Sequence, residues 1–205
     1  MLITLIRHGA TEWNEANLIQ GSRNIGLSPR GRRQARSAAA RLRRIPFKAL
    51  YSSPLRRAAD TAQIIGRHLR LPVALHPRLG EQNFGRLEGL PLSTLLELSE
   101  EEMQGGIPVA PPDGETRQEF SDRVFSFLNE LCAAEIEDPI AVVTHQGVIK
   151  LLFDVAHRQQ PEARTAVANG TIHIFEQSGL LPEAGRQSPR HSLWTTMRID
   201  YKGSV

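Results

Sequence analysis

Short apolar runs alternate with amphipathic stretches along this chain. Met1–Ile6 is a β-branched, apolar run of the kind that forms a strand buried on both faces. After a polar stretch, Ser28-Pro29 places a capping residue ahead of a helix-starting proline, and the spacing predicts a helix over Arg30–Arg44 with Ala and Leu on one side. Lys48–Ser52 reads as a second strand. Ser53-Pro54 repeats the cap signal and opens a predicted helix through about Arg70. Leu71–Leu75 reads as a third strand, residues 91–103 as a helical, acidic surface piece, and Gln104–Gly114 as a loop rich in Gly and Pro. Phe120, Val124, Phe127, Leu128 and Leu131 recur at helical spacing between Glu115 and Glu137. Ile140–Thr144 is the clearest strand and precedes a helix near Val148–His157. Thr171–Glu176 and Leu193–Ile199 read as a closing hairpin around the loop Ser178–Ser192. Strands alternating with helices predict an α/β layered domain with a mostly parallel sheet. With no internal repeat or linker, the 205 residues are expected to form a single domain over 1–205.

Composition narrows the class. A 40% hydrophobic and 23% charged content is that of an ordinary globular protein, not a disordered or collagenous one. The single Cys132 cannot form an internal bridge, and a reducing, cytoplasmic setting is the expectation. No apolar run approaches the roughly 18–20 residues of a membrane span, and Met1–Ile6 meets Arg7 too soon to be the core of a secretory leader. Charge is the unusual part. Of 25 basic residues only three are Lys, and up to position 70 there are 14 basic against 3 acidic residues, although the whole chain is only +3. Such a segment suggests a phosphate-bearing partner, polymeric or small. Arg30, Arg32, Arg33, Arg36, Arg41, Arg43 and Arg44 carry much of the excess on one predicted helix. No aromatic residues interleave with them as stacking platforms, so a solvated helix face is expected rather than a nucleic-acid stripe.

Parallel α/β sheets place their sites beyond the carboxyl ends of the strands. Arg7, His8 and Gly9 follow the first strand; Ser52, Ser53 and Pro54, then Arg56 and Arg57, follow the second; His145, Gln146 and Gly147 follow Ile140–Thr144. Two His and at least two Arg therefore converge on one sheet edge. A neutral imidazole can attack phosphorus, and planar guanidinium groups neutralise a phosphate monoester through paired, charge-assisted hydrogen bonds. A metal site fits worse, because neighbouring guanidinium groups repel a cation and no HExxH pair or Cys cluster is present. A leaving alkoxide needs a proton. Glu81 lies on a loop after the third strand, and position alone does not separate it from Glu88 or Glu12.

These residues carry a resemblance. Leu5-Ile6-Arg7-His8-Gly9-Ala10-Thr11-Glu12-Trp13-Asn14 resembles the RHG signature of the histidine phosphatase superfamily, the phosphoglycerate mutase-like proteins. Ser52-Ser53-Pro54-Leu55-Arg56-Arg57-Ala58 through Thr61-Ala62 is similar to the second motif of that family. Glu81 through Gly89 resembles its acidic segment, Thr144-His145-Gln146-Gly147 its second-histidine motif, and Asn169-Gly170-Thr171 also fits. The resemblance implies a three-layer α/β sandwich around a mostly parallel central sheet, with His8 as the phosphorylated nucleophile and Glu81 as proton donor and later base. Arg7, Arg57 and His145 would surround the phosphoryl group, with Asn14, Gln20, Gly21 and Gln146 lining the substrate pocket. It departs from the family at Gly80, where an Arg is frequent, at Asn24, where Asp is frequent, and at Gln146, where many relatives have a second Gly. The implied activity is metal-independent hydrolysis of small phosphomonoesters without a cofactor; the expected partner is a phosphorylated metabolite, with no nucleic acid or membrane, and a homodimer is a family-level expectation. A cofactor-dependent phosphoglycerate mutase and a non-catalytic binder of phosphorylated ligands or RNA are the alternatives. The short stretch from Phe84 to Thr144 favours the phosphatase over the mutase.

Overall fold

A computed structural model of the chain describes residues 1–99, 101–104, 107–134, 136–137, 139–156, 167–177 and 194–197. Its main sheet has six strands: β1 (Leu2–Arg7), β2 (Ala49–Ser52), β3 (Val73–Leu75), β6 (Ile140–Thr144), β7 (Ile172–Gln177) and β8 (Trp194–Met197), in the order β3-β2-β6-β1-β7-β8. β4 (Met103–Gln104) and β5 (Ile107–Pro108) form a separate two-stranded ribbon. The β3-β2-β6-β1 half is parallel, and β7 and β8 add antiparallel to β1.

Strand alternation divides the core in two. Ile3, Leu5, Ile140 and Val142 point to one face and pack under α4 (Arg117–Ala133) and α5 (Gln146–Ala156). Ile6, Ala141 and Val143 point to the other, under α2 (Pro29–Leu42) and α3 (Arg56–Leu69). Burial on both faces is why β1 and β6 read as unbroken apolar runs. α2 meets the sheet through Ala35, Ala38 and Ala39 while its N-terminus approaches the loop after β1, where a Cβ on Gly9 would lie 2.3 Å from the Gly31 carbonyl oxygen. Arg30, Arg32, Arg33, Arg36, Arg43 and Arg44 are exposed, and Arg41 is half-buried. The arginine excess on this helix is thus mostly a solvated face.

The caps only partly follow the sequence pattern. Ser28 caps α2 by accepting from the Gly31 amide at 3.2 Å. Thr116 and Glu119 form a reciprocal capping box at the start of α4. Ser53, in contrast, does not cap α3. The helix begins after Leu55, and its first amide, that of Arg56, donates instead to Asn24 Oδ1 at 2.8 Å. Asn14 completes another box with Thr11 at a one-turn helix, α1 (Glu12–Glu15), that the pattern does not signal. The acidic piece 91–103 is not an α-helix: it holds a 3₁₀ turn over Leu92–Leu96, ending near β4. Leu92 and Leu96 are exposed there, so no buried apolar stripe supports a longer helix. His157, His191 and the whole of the predicted Ser178–Ser192 loop lie outside the described residues. Among those described, no helix is long and apolar enough to cross a membrane.

Candidate active site

The parallel register assembles the site. Arg7 lies opposite Thr144, and Ser52 opposite Val143, so β1, β2 and β6 end at one level. The ladder continues one residue further on each side of β6: the His8 amide donates to the Thr144 carbonyl at 3.0 Å, and the Ser53 amide to Val143 at 3.0 Å. His8 and His145 leave adjacent strand ends with ring centroids 5.1 Å apart.

His8 is 3% exposed, and its Nδ1 is 2.8 Å from the Gly9 carbonyl oxygen. A carbonyl only accepts, so Nδ1 carries the hydrogen and the neutral ring presents its lone pair at Nε2. Burial, followed by the charges of Arg57 and Arg7, holds the His8 pKa well below the usual imidazole value; the hydrogen bond to Gly9 opposes this. His145 is likewise held well below, by burial and then by Arg57, His8 and the two further arginines Arg7 and Arg123. Its Nε2 meets Ser53 Oγ at 2.8 Å, while Nδ1 is buried with no partner among the described residues.

Arg57 is 1% exposed and donates Nη1 to the Arg23 carbonyl and Nη2 to the Gly21 carbonyl, each at 2.6 Å. Arg7 donates Nη1 to the Val167 carbonyl. The Nε of each is buried without an acceptor among the described residues. Burial lowers both pKa values to about 10, against the opposing charge of Glu81, so both remain cationic at neutral pH. Two guanidinium groups with uncommitted N–H donors beside a neutral imidazole make an anion cradle.

Three carboxylates competed for the acid role, and their surroundings separate them. Glu88 Oε1 accepts from the Ser22 amide, the Ser22 hydroxyl and the Phe84 amide at 2.7, 2.9 and 3.1 Å, and Oε2 pairs with Arg23 at 3.1 Å. It is a buried tie between loops. Glu12 is exposed on α1. Glu81 interacts electrostatically with Arg7 and Arg57, and its carboxylate is held by the amides of Gln82 at 3.1 Å and Gly147 at 3.2 Å. A Cβ on Gly147 would sit 2.2 Å from Glu81 Oε1, so a side chain at the start of α5 would displace the Glu81 carboxylate from this position.

Arg7, His8, Arg57, Glu81 and His145 are therefore brought together. A model of the histidine phosphatase superfamily (branch 1) matches residues 3–183. The chain belongs to the histidine phosphatase superfamily. It is 29% identical over 175 residues to the uncharacterized phosphatase PhoE of Bacillus subtilis, covering 85% of this chain and 87% of that protein. It is 28% identical over 190 residues to a 2,3-bisphosphoglycerate-dependent phosphoglycerate mutase of Cytophaga hutchinsonii, covering 88% and 89%. Among solved structures, a mycobacterial glucosyl-3-phosphoglycerate phosphatase superposes with a TM-score of 0.75 at 27% identity, covering 87% of this chain and 92% of that one. Membership and the phosphatases among these proteins support a phosphoric monoester hydrolase.

The remaining expected residues frame this histidine phosphatase site unevenly. Asn14 Oδ1 accepts from the Thr11 amide at 3.1 Å and from Asn169 Nδ2 at 3.3 Å; Asn169 Nδ2 also reaches the His8 carbonyl at 3.1 Å. Gln20 Oε1 accepts from the Thr11 hydroxyl at 2.9 Å. Both residues thus tie down the loop after His8 through their amide oxygens. Gly21 adopts a positive φ of 49° and serves Arg57 through its carbonyl. Gln146 is half-buried at the start of α5. Two partnerships have no plain signal in the sequence: Ser53, at the sheet edge, bonds His145 instead of capping α3, and Arg123 binds the loop carrying Glu81. Arg123 does leave a trace. It falls three residues after Phe120 and four before Phe127, a charge on the apolar stripe itself.

Buried neutral histidines make stability depend on pH. His8 and His145 bind protons less readily when folded than when unfolded, so the unfolded chain gains protons as pH falls below about 6.5. Their contribution is full above that value and is lost as pH falls toward the lowered folded values. The melting temperature should drop between about pH 7.5 and about pH 5, and drop less steeply in His145→Gln, whose amide can still reach Ser53. An equal slope in both proteins would remove His145 from the account.

Proposed function

We propose that this histidine phosphatase hydrolyses small phosphomonoesters in two steps, without a metal, through a phosphohistidine on His8. The observation that carries the reading is the His8 ring itself, neutral and buried within the fields of Arg57 and Arg7, with Nδ1 bonded to the Gly9 carbonyl and Nε2 left as nucleophile. In the first step the Nε2 lone pair forms a bond to phosphorus as the ester P–O bond breaks. Protonated Glu81 gives its proton to the departing oxygen, which leaves as an alcohol. In the second, the Glu81 carboxylate takes a proton from water, the water oxygen bonds to phosphorus, and the P–N electron pair returns to His8. Phosphate departs and Glu81 is protonated again. Arg7 and Arg57, with His145 beside them, balance the charge of the transferring group. Two fixed guanidinium groups supply the positive charge that a divalent ion supplies in metallophosphatases.

A second reading, phosphoglyceromutase activity, shares the phosphohistidine and is favoured by the similarity to the Cytophaga hutchinsonii mutase. The two differ in where the phosphoryl group goes. Phosphorus NMR of 3-phosphoglycerate with the enzyme and a chelator should show free phosphate accumulating. Conversion to 2-phosphoglycerate without free phosphate would establish the mutase, and activity lost to the chelator and restored by a divalent metal would overturn the metal-independent mechanism.

A further inference from the structure

We infer that Arg123, paired with Glu115, is the positioning residue for Glu81; the inference rests on Glu81 being the general acid of the proposed reaction. Glu81 lies on a loop, and a loop carboxylate delivers a proton efficiently only if its backbone is fixed. Two side-chain clamps fix this one. Thr144, the last residue of β6, donates Oγ1 to the Leu79 carbonyl at 2.9 Å, and buried Gln82 donates Nε2 to the carbonyls of Pro108 at 2.9 Å and Glu115 at 2.8 Å. These hold the residues on either side of the Gly80-Glu81 pair. The pair itself is held by Arg123.

The Arg123 guanidinium commits all five of its N–H donors. Nη1 donates to the carbonyls of Arg78 at 2.8 Å and Gly80 at 2.9 Å, and Nη2 to the carbonyl of Glu81 at 2.9 Å. The remaining two go to Glu115, Nε to Oε1 at 2.5 Å and Nη2 to Oε2 at 2.9 Å. The charged head lies 4.8 Å from the centroid of the Phe120 ring, one turn back on α4. Three carbonyls from four consecutive residues converging on one planar fork is a geometry only arginine satisfies; an ammonium has three donors and no plane. Glu115 both completes the fork and offsets its charge, so the clamp fixes the acid without adding an uncompensated cation next to it. A residue that acts through the acid has a signature that a merely structural residue lacks. Its loss should matter when the leaving oxygen needs a proton and hardly matter when it does not.

Phosphoenzyme formation measured by rapid quench, from 4-nitrophenyl phosphate and from a primary alkyl phosphate, separates the two. In Arg123→Met and in Arg123→Lys, which keeps the charge and the apolar stem but not the fork, formation from the alkyl ester should fall about 10²-fold. Formation from the nitrophenyl ester should stay within about threefold, since its leaving group departs unprotonated. Glu81→Gln run in parallel should show the same discrimination. Equal losses on both esters, or no loss on either, would overturn the role of Arg123. If Glu81→Gln itself fails to discriminate, the acid assignment fails instead. Arg123→Lys carries the test should the Met variant not fold.

Discussion

Replacing His8 by Gln should abolish phosphate release, with a loss in kcat of about 10⁴-fold or more, as expected when the nucleophile of a covalent mechanism is removed. It should also remove the phosphorylated protein trapped by rapid quench, a species labile in acid and stable in base as a phosphoramidate is. The anion cradle should survive. Arg7 and Arg57 take their protein contacts from the carbonyls of Val167, Arg23 and Gly21, not from the His8 ring, so phosphate and vanadate should bind to His8→Gln with nearly unchanged affinity. The nearest rival nucleophile is His145, 5.1 Å away and also held neutral. Its Nε2 is engaged by Ser53, which argues for a hydrogen-bonding role rather than attack. Mapping the label by peptide decides between them: a phosphoenzyme that persists in His8→Gln and disappears in His145→Gln would reverse the assignment.

The parts of this site that the sequence makes legible are those dictated by strand ends. In a parallel sheet, whatever follows each central strand must lie at one edge, so Arg7-His8 and His145 could be placed together from the apolar runs alone. Glu81 could not, because its distance from Glu88 in sequence says nothing about their separate environments; four contacts engage Glu88 as a tie between loops, and they arise from Ser22, Arg23 and Phe84, two of them far away in the chain. Ser53 misled for a related reason. Ser-Pro ahead of an amphipathic run is a sound cap signal, but here the hydroxyl is drawn to His145, and the α3 amide is served by Asn24 from a distant loop. Local pattern fails where a tertiary partner competes for the same group. The 91–103 segment fails differently: acidic and helix-prone residues suffice for a helical pattern, but Leu92 and Leu96 have nothing to bury against.

The charge asymmetry resolves along the same lines. The N-terminal excess of arginine is mostly exposed, on and just past α2 and at Arg23, Arg56, Arg67 and Arg70, and Arg7 and Arg57 are the two that reach the site. Exposed arginines add only a general positive potential for an anionic substrate, which salt screens within about 10 Å at 0.1 M. The enclosed pair works where water is excluded and screening is weak. In the proposed mechanism Arg7 and Arg57 are the arginines that phosphoryl transfer would use, and of the two Arg57 is the more deeply enclosed.

Arg57→Met is expected to lower kcat/KM for phosphomonoesters by about 10²–10³-fold, the usual effect of deleting a fixed donor to transition-state charge, while leaving the melting temperature within a few degrees of the parent. The second half follows from opposing contributions. Burying a guanidinium is unfavourable, as its pKa of about 10 records, and an apolar residue of similar length removes that penalty. Against this, Met leaves the Gly21 and Arg23 carbonyls without their 2.6 Å donors, at a cost of about 1–3 kcal/mol for each that water does not reach. Arg57→Lys sharpens the point. It keeps the positive charge but cannot bridge two carbonyls and still present donors to phosphate, so it should recover little of the lost kcat/KM. Exposed Arg56, next in sequence and facing solvent, provides the control: Arg56→Met should change kcat/KM by less than about threefold at moderate salt, because a solvated charge is screened. Full activity in Arg57→Lys would mean that charge alone suffices and that the fork is not used. A melting temperature lowered by more than about 10 °C in Arg57→Met would instead make Arg57 a keystone of the Gly21–Arg23 loop, with its effect on catalysis secondary to folding.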